Sequence, residues 1–204
     1  MSSEQESNLD FERLLKESVK IHGHLCPGQV LCVRMSILGL RKIGIDDPKG
    51  KNKKDFMVFV EIDRCATDAI QSVTGCSLGK RTLKFLDYGK MAAAFVNIKT
   101  AEAVRILAKE EARERAKNYF PDISDKYQCQ TAAYKVMPDE ELFKLQTVKI
   151  KISPYDTPGR PLKRVYCDKC REYVQDNREV NSDDKPLCKA CAYGAYYHTC
   201  NSKK

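Results

Sequence analysis

Phe56-Met57-Val58-Phe59-Val60-Glu61-Ile62 is an almost unbroken apolar run. Its shortness and its β-branched and aromatic content read as a strand, and its lack of polar alternation reads as burial on both faces or a central place in a sheet. Upstream, Phe11, Leu14, Leu15 and Val19 recur at helical spacing, so a helix is expected over about 9–20 with Asn8 or Asp10 as its cap. Pro27 suits the first turn of a second helix, whose apolar series Val30, Leu31, Ile37, Leu38 runs to a stop near Gly44. Downstream, Asp63 or Thr67 is expected to cap a short helix through Ala69, Ile70 and Val73, ended by Gly75. Thr82–Asp87 and Met91–Ile98 read as strands joined in a hairpin by Asp87-Tyr88-Gly89-Lys90. The Ala-, Glu-, Lys- and Arg-rich stretch from Thr100 to Tyr119 reads as a helix, with Val104, Leu107 and Ala108 on one stripe. Asp125–Met137 reads as a further helix, Pro138–Leu142 as a helix start and Val148–Ile152 as a half-exposed strand. Helices and strands intermix without a regular βαβ rhythm, so the expected class is α+β.

The chain has 204 residues, 42% hydrophobic and 31% charged, with no apolar run near the roughly 18 residues of a membrane span. Membrane-spanning, collagen-like and wholly disordered readings are thereby excluded. The polar, acidic start lacks the apolar stretch of a secretory signal, so the cytosol is the expected compartment. In that reducing setting the ten cysteines read first as metal ligands, reactive thiols or small core residues. The net charge of +8 does not point to nucleic acid, which is not an expected partner. Residues 151–204 hold 11 basic and 7 acidic side chains and residues 1–150 hold 25 and 21, so each part carries +4. Cysteine divides more sharply, with five in each part. Between them, Ser153-Pro154-Tyr155-Asp156-Thr157-Pro158-Gly159-Arg160-Pro161 favours an extended connector. The expected organisation is a core domain over 1–152, a linker over 153–163 and a small module over 164–204.

Cys167-Asp168-Lys169-Cys170 and Cys188-Lys189-Ala190-Cys191 are two C-x2-C pairs with 17 residues between them, the spacing of a structural zinc site. Two intervening residues let successive thiolates face one ion from a tight turn, and four thiolates close a tetrahedral shell. Glu172–Gln175 and the polar turn Asn181–Asp184 read as a small hairpin, and Ala-Tyr-Gly-Ala-Tyr-Tyr after Cys191 as a helix start. Together they outline a treble-clef-like finger. His198 and Cys200 are spare donors outside the filled shell. A closed site of this kind folds a module too small for its own core, and it carries no chemistry by itself.

His22-Gly23-His24-Leu25-Cys26-Pro27-Gly28 opens a helix with a thiol at its positive end, where the dipole and free N–H groups favour the thiolate. Two imidazoles within four residues either tune that thiol or join it on a transition metal. Cys65 follows the central strand and Cys76 follows the next helix, so both are candidates for the same cleft. Cys32 and Cys129, inside helices, read as core residues. Gly75–Lys80 lacks the spacing of a phosphate loop.

The first motif, followed by Arg64-Cys65-x-x-Asp68-Ala69-Ile70-Gln71 and Thr74-Gly75-Cys76-Ser77-x-Gly79-Lys80, resembles the family of formylmethanofuran dehydrogenase E subunits. The resemblance covers most of residues 10–150. It implies an α+β core, usually dimeric, with a cleft around the first motif and the Cys65 region. It further implies one-carbon metabolism on the methanofuran carrier, as an accessory within a larger molybdenum or tungsten enzyme complex. Some members carry an auxiliary treble-clef finger, which Cys167 to Cys191 match. The chain has neither a ferredoxin-type cysteine run nor a G-x-G-x-x-G, so a complete dehydrogenase is not expected. The expected site is an open one: Cys26 as nucleophile or metal ligand tuned by His24, with His22, Cys65 and Cys76 as further metal ligands. Asp68 and Gln71 would orient ligand or substrate. The alternatives are a regulatory adaptor whose finger binds nucleic acid or protein, and metal or sulfur handling in cofactor assembly.

Overall fold

In the computed structural model, which describes residues 9–200, β1 (Phe56–Val60) lies inside a five-stranded sheet. The order is β2-β1-β3-β4-β5, with β2 at Leu83–Phe85, β3 at Ala92–Asn97, β4 at Ala103–Ala108 and β5 at Phe143–Thr147. β2 runs parallel to β1, and the other pairs are antiparallel. The hairpin expected between Thr82–Asp87 and Met91–Ile98 is therefore corrected: both strands pair with β1, one on each side. The reason is that β2 returns from a helix as a crossover strand, so a glycine in the next connection marks a loop rather than a two-strand turn.

Three helices bring the motifs together. α1 (Phe11–His22) is capped by Asp10, whose Oδ1 accepts from Arg13 N–H at 2.7 Å; Asn8, the other candidate cap, lies outside the described residues. α2 (Pro27–Lys42) starts with proline in its first turn and Cys26 as N-cap. α3 (Cys65–Thr74) ends at Gly75, whose φ of 70° is the left-handed conformation that glycine adopts without strain. Its start corrects the expected cap. Arg64 is the N-cap residue, and the Thr67 hydroxyl donates back to Arg64 C=O at 2.8 Å.

The core gathers Phe56, Val58, Val60, Phe95 and Ile106 of the sheet with Leu14, Val30, Met35 and Ile70 of these helices. α2 lies closely over β3 because Gly39 has no side chain: a Cβ there would come 2.4 Å from the buried Phe95 ring. Cys32, Cys76 and Cys129 all belong to this core.

The stretch from Thr100 to Tyr119 corrects a second expectation. It forms β4 followed by α4 (Ala112–Tyr119), so Val104 and Ile106 enter the core at strand spacing. Cross-strand pairing on both edges outweighs the local helical preference of Ala, Arg and Leu. The expected strand over Val148–Ile152 is also displaced. The strand is β5, and only Val148 N–H continues its ladder, to Ala103 C=O. α5 (Lys126–Val136) and α6 (Asp139–Leu142) lie between α4 and β5.

The chain divides into two compact units, Met1–Lys151 and Ile152–Lys204. In the second, β6 (Arg164–Tyr166) pairs with β7 (Tyr173–Gln175), and β8 (Val180–Ser182) pairs with β9 (Lys185–Leu187) before α7 (Lys189–Tyr193). The segments expected to form one hairpin thus belong to two. Asp183 and Asp184 both take positive φ, as a two-residue turn matched to strand twist requires. Among the described residues, no helix is long and apolar enough to cross a membrane.

Candidate metal centre

In the small unit, Cys167 and Cys170 flank the turn between β6 and β7, and Cys188 and Cys191 open α7. The four sulfurs lie within 4.8 Å of one another. Cys170 Sγ and Cys188 Sγ are 3.8 Å apart, and a tetrahedral ion with 2.3 Å bonds to sulfur holds its ligands about 3.8 Å apart. The N–H of Cys170 draws the Cys167 thiol down to about 6, while the bond to Cys188 pushes the Cys191 thiol up to about 12. A divalent cation offsets that mutual repulsion. The cluster can bind a metal such as zinc, with the four thiolates as ligands and structural stability as the result.

A second group forms where three helix ends converge. His22 is the last residue of α1, Cys26 caps α2 and Cys65 begins α3. A ring nitrogen of His22 and both sulfurs lie within 4.8 Å of one another. His22 Nδ1 is 2.8 Å from Asp68 Oδ2, one turn along α3. Nε2 is buried and has no hydrogen-bond partner. A carboxylate on one imidazole nitrogen fixes the ring and its tautomer, leaving the other nitrogen as a lone-pair donor, which is the arrangement of a metal-binding histidine. Burial, then the neighbouring Cys26, pushes the Cys65 thiol up from its ordinary value. A cation beside both sulfurs reverses that penalty.

Two residues that sequence reasoning passed over build this site. Gly28 is the wall behind the sulfurs: a Cβ there would stand 3.2 Å from Cys65 Cβ, 3.6 Å from Cys65 Sγ and 3.7 Å from Cys26 Sγ. Gln29 is fully buried, accepts from the Ser18 hydroxyl and donates through Nε2 to Cys65 C=O at 2.9 Å. It thereby ties α1 and α2 to the start of α3. A buried glutamine directly after the motif was the available signal, because such an amide must find partners.

Other expected site residues are placed differently. His24 is exposed, stacks on His22 with ring centroids 4.6 Å apart, and stands outside the His22–Cys26–Cys65 group. Cys76 is also outside it, buried in the core beyond α3, with its N–H on Thr74 Oγ1. Asp68 meets His22 rather than open solvent alone, and Gln71 is half-buried one turn further along.

The donor set is one imidazole and two thiolates, which fits zinc or a softer transition metal. Three protein ligands leave a coordination position for water or substrate, so a bound ion would supply Lewis-acid or ligand-exchange chemistry. If Asp68 sets the imidazole, Asp68→Asn lowers core-site metal affinity by about 10–100-fold. Competition with a chromophoric chelator measures this, and an unchanged affinity contradicts the assignment.

A model of the family described as FmdE, Molybdenum formylmethanofuran dehydrogenase operon, matches residues 21–144, which contain His22, Cys26, Cys65 and Asp68. A protein of Archaeoglobus fulgidus described as a probable S-adenosyl-L-methionine-binding protein is 31% identical over 206 residues, covering 91% of this chain and 54% of that protein. The chain thus spans about half the length of this curated relative. A solved structure of an FmdE-like protein of tungsten formylmethanofuran dehydrogenase, from Syntrophus aciditrophicus, shares the fold, with a TM-score of 0.60 and 24% identity over 92% of this chain and 95% of that one.

Proposed function

The chain belongs to the FmdE family, and from that membership we propose that it is an accessory metal-and-thiol protein for one-carbon chemistry of the formylmethanofuran dehydrogenase type. Its working site is the ion held by His22, Cys26 and Cys65. The finger is structural and holds zinc. The protein acts as a homodimer alongside a molybdenum or tungsten enzyme. The observation that carries this reading is the buried, unpartnered Nε2 of a carboxylate-anchored histidine beside two thiols at helix N-termini. Those helix ends favour thiolate ligands, and the incomplete shell favours exchange at the ion.

Cobalt(II) substitution tests the open position. Azide is expected to alter the visible bands of a site that Cys26→Ser removes, while the bands of a closed four-thiolate site stay unchanged. Cobalt bands indifferent to azide overturn the open-site reading.

A second reading, an adaptor role for the finger, is favoured by an exposed stack on β6 and β7. Tyr166 and Tyr173 rings are 3.9 Å apart, and the Arg164 guanidinium lies 4.4 Å from the Tyr173 centroid. Salt-dependent binding of single-stranded nucleic acid that Tyr166→Ala abolishes would support it, and no binding at low salt would remove it.

A further inference from the structure

Beside the core site lies a groove of roughly 620 Å³ between the segment carrying His24, Leu25 and Cys26 and one stripe of α5. Cys26 belongs to both the groove and the metal-binding group. On α5, Tyr127, Thr131 and Lys135 line the groove. They are spaced four residues apart and so form one ladder, about 12 Å from first to last. The lining is mostly apolar, with Leu25 and Tyr127 well exposed. Among its described lining residues none carries a carboxylate, and Lys135 carries the one fixed positive charge. Glu12 stands 3.9 Å from the Lys135 ammonium, too far to occupy its N–H donors in short hydrogen bonds. The groove between α4 and α5 differs, since Glu110, Glu111 and Glu114 line it.

We propose that the groove beside Cys26 binds an elongated organic anion. A flat or aliphatic body lies along Leu25 and Tyr127, and a carboxylate pairs with Lys135. The other end of the molecule is presented to Cys26 and its ion; this last clause alone rests on the metal reading above. The length of the ladder suits a body of several carbons between the two ends, and the absence of lining carboxylates selects the sign of the charge.

Nitrogen-15 NMR of the full chain tests this with 4-phenylbutyrate and, as a cationic counterpart of similar shape, 4-phenylbutylamine. The carboxylate is expected to shift the amides of residues 24–26 and 127–135 saturably, and the amine to bind about tenfold more weakly. Lys135→Glu is expected to invert that order. Equal responses to both probes, shifts elsewhere, or no shift at these amides would overturn the proposal. Cys26→Ser separates the two readings: the α5 shifts persist in it whether or not an ion is lost, so a failed metal count and a failed groove are different results.

Discussion

Cys170→Ser is expected to release the finger's metal and unfold residues 152–200 while leaving the core unit folded. The small unit has almost no apolar interior: among its described residues Cys167 is the one apolar residue fully buried. Its order comes from two three-residue hairpins, a five-residue helix and local polar ties such as Asp176 Oδ1 accepting from Leu162 N–H at 2.7 Å. Strands and helices that short do not hold themselves together. Binding of a structural zinc ion contributes on the order of 10 kcal/mol, enough to fold such a unit. Amide dispersion in NMR spectra, before and after chelation, reads the outcome. Retained dispersion for residues 164–193 without metal would show that the thiols do not organise the unit.

Arg105→Ala is expected to destabilise the core unit by about 3–5 kcal/mol, because it leaves a buried carboxylate unpaired. Glu61 is 5% exposed, and Arg105 grips it through Nε to Oε1 and Nη2 to Oε2, each at 2.6 Å. That grip holds the guanidinium above its ordinary range. Nη1 also donates to Gln146 Oε1 at 2.7 Å, so one side chain ties together β1's end, β4 and β5. Removing both partners, in Glu61→Ala with Arg105→Ala, is expected to cost less than the two single losses added together. Urea denaturation of the four proteins checks this, and strictly additive losses would mean that the pair contributes little as a pair.

How far the sequence disclosed this molecule depended on whether local pattern and long-range pairing agreed. β1 was legible because an apolar run of that length fits a covered strand. α1, α2 and the finger's cysteine pairs were legible because spacing, caps and turn residues all pointed one way. β4 was not, since Ala103–Ala108 is composed of good helix formers and becomes a strand only between β3 and β5. The place of β2 was hidden for a similar reason: nothing local in Leu83–Phe85 tells whether it pairs with its successor or returns to β1.

At the core site, residue types were visible and their assignment was not. His22 and His24 lie two residues apart, and the end of α1 turns one toward Asp68 and leaves the other exposed. Cys65 and Cys76 bracket the same short helix, so only its orientation decides that Cys65 meets Cys26 while Cys76 faces the core. Gln29 needed its tertiary partners, Ser18 and Cys65, before it could be read as part of the site.

The central claim is that the core holds an exchangeable ion on His22, Cys26 and Cys65, separate from the finger. Elemental analysis of the purified protein tests it most directly. The wild-type chain is expected to carry about two transition-metal ions, and Cys26→Ser or Cys65→Ser about one, with the finger's four thiolates still filled. A wild-type count of one that neither substitution lowers would contradict the account.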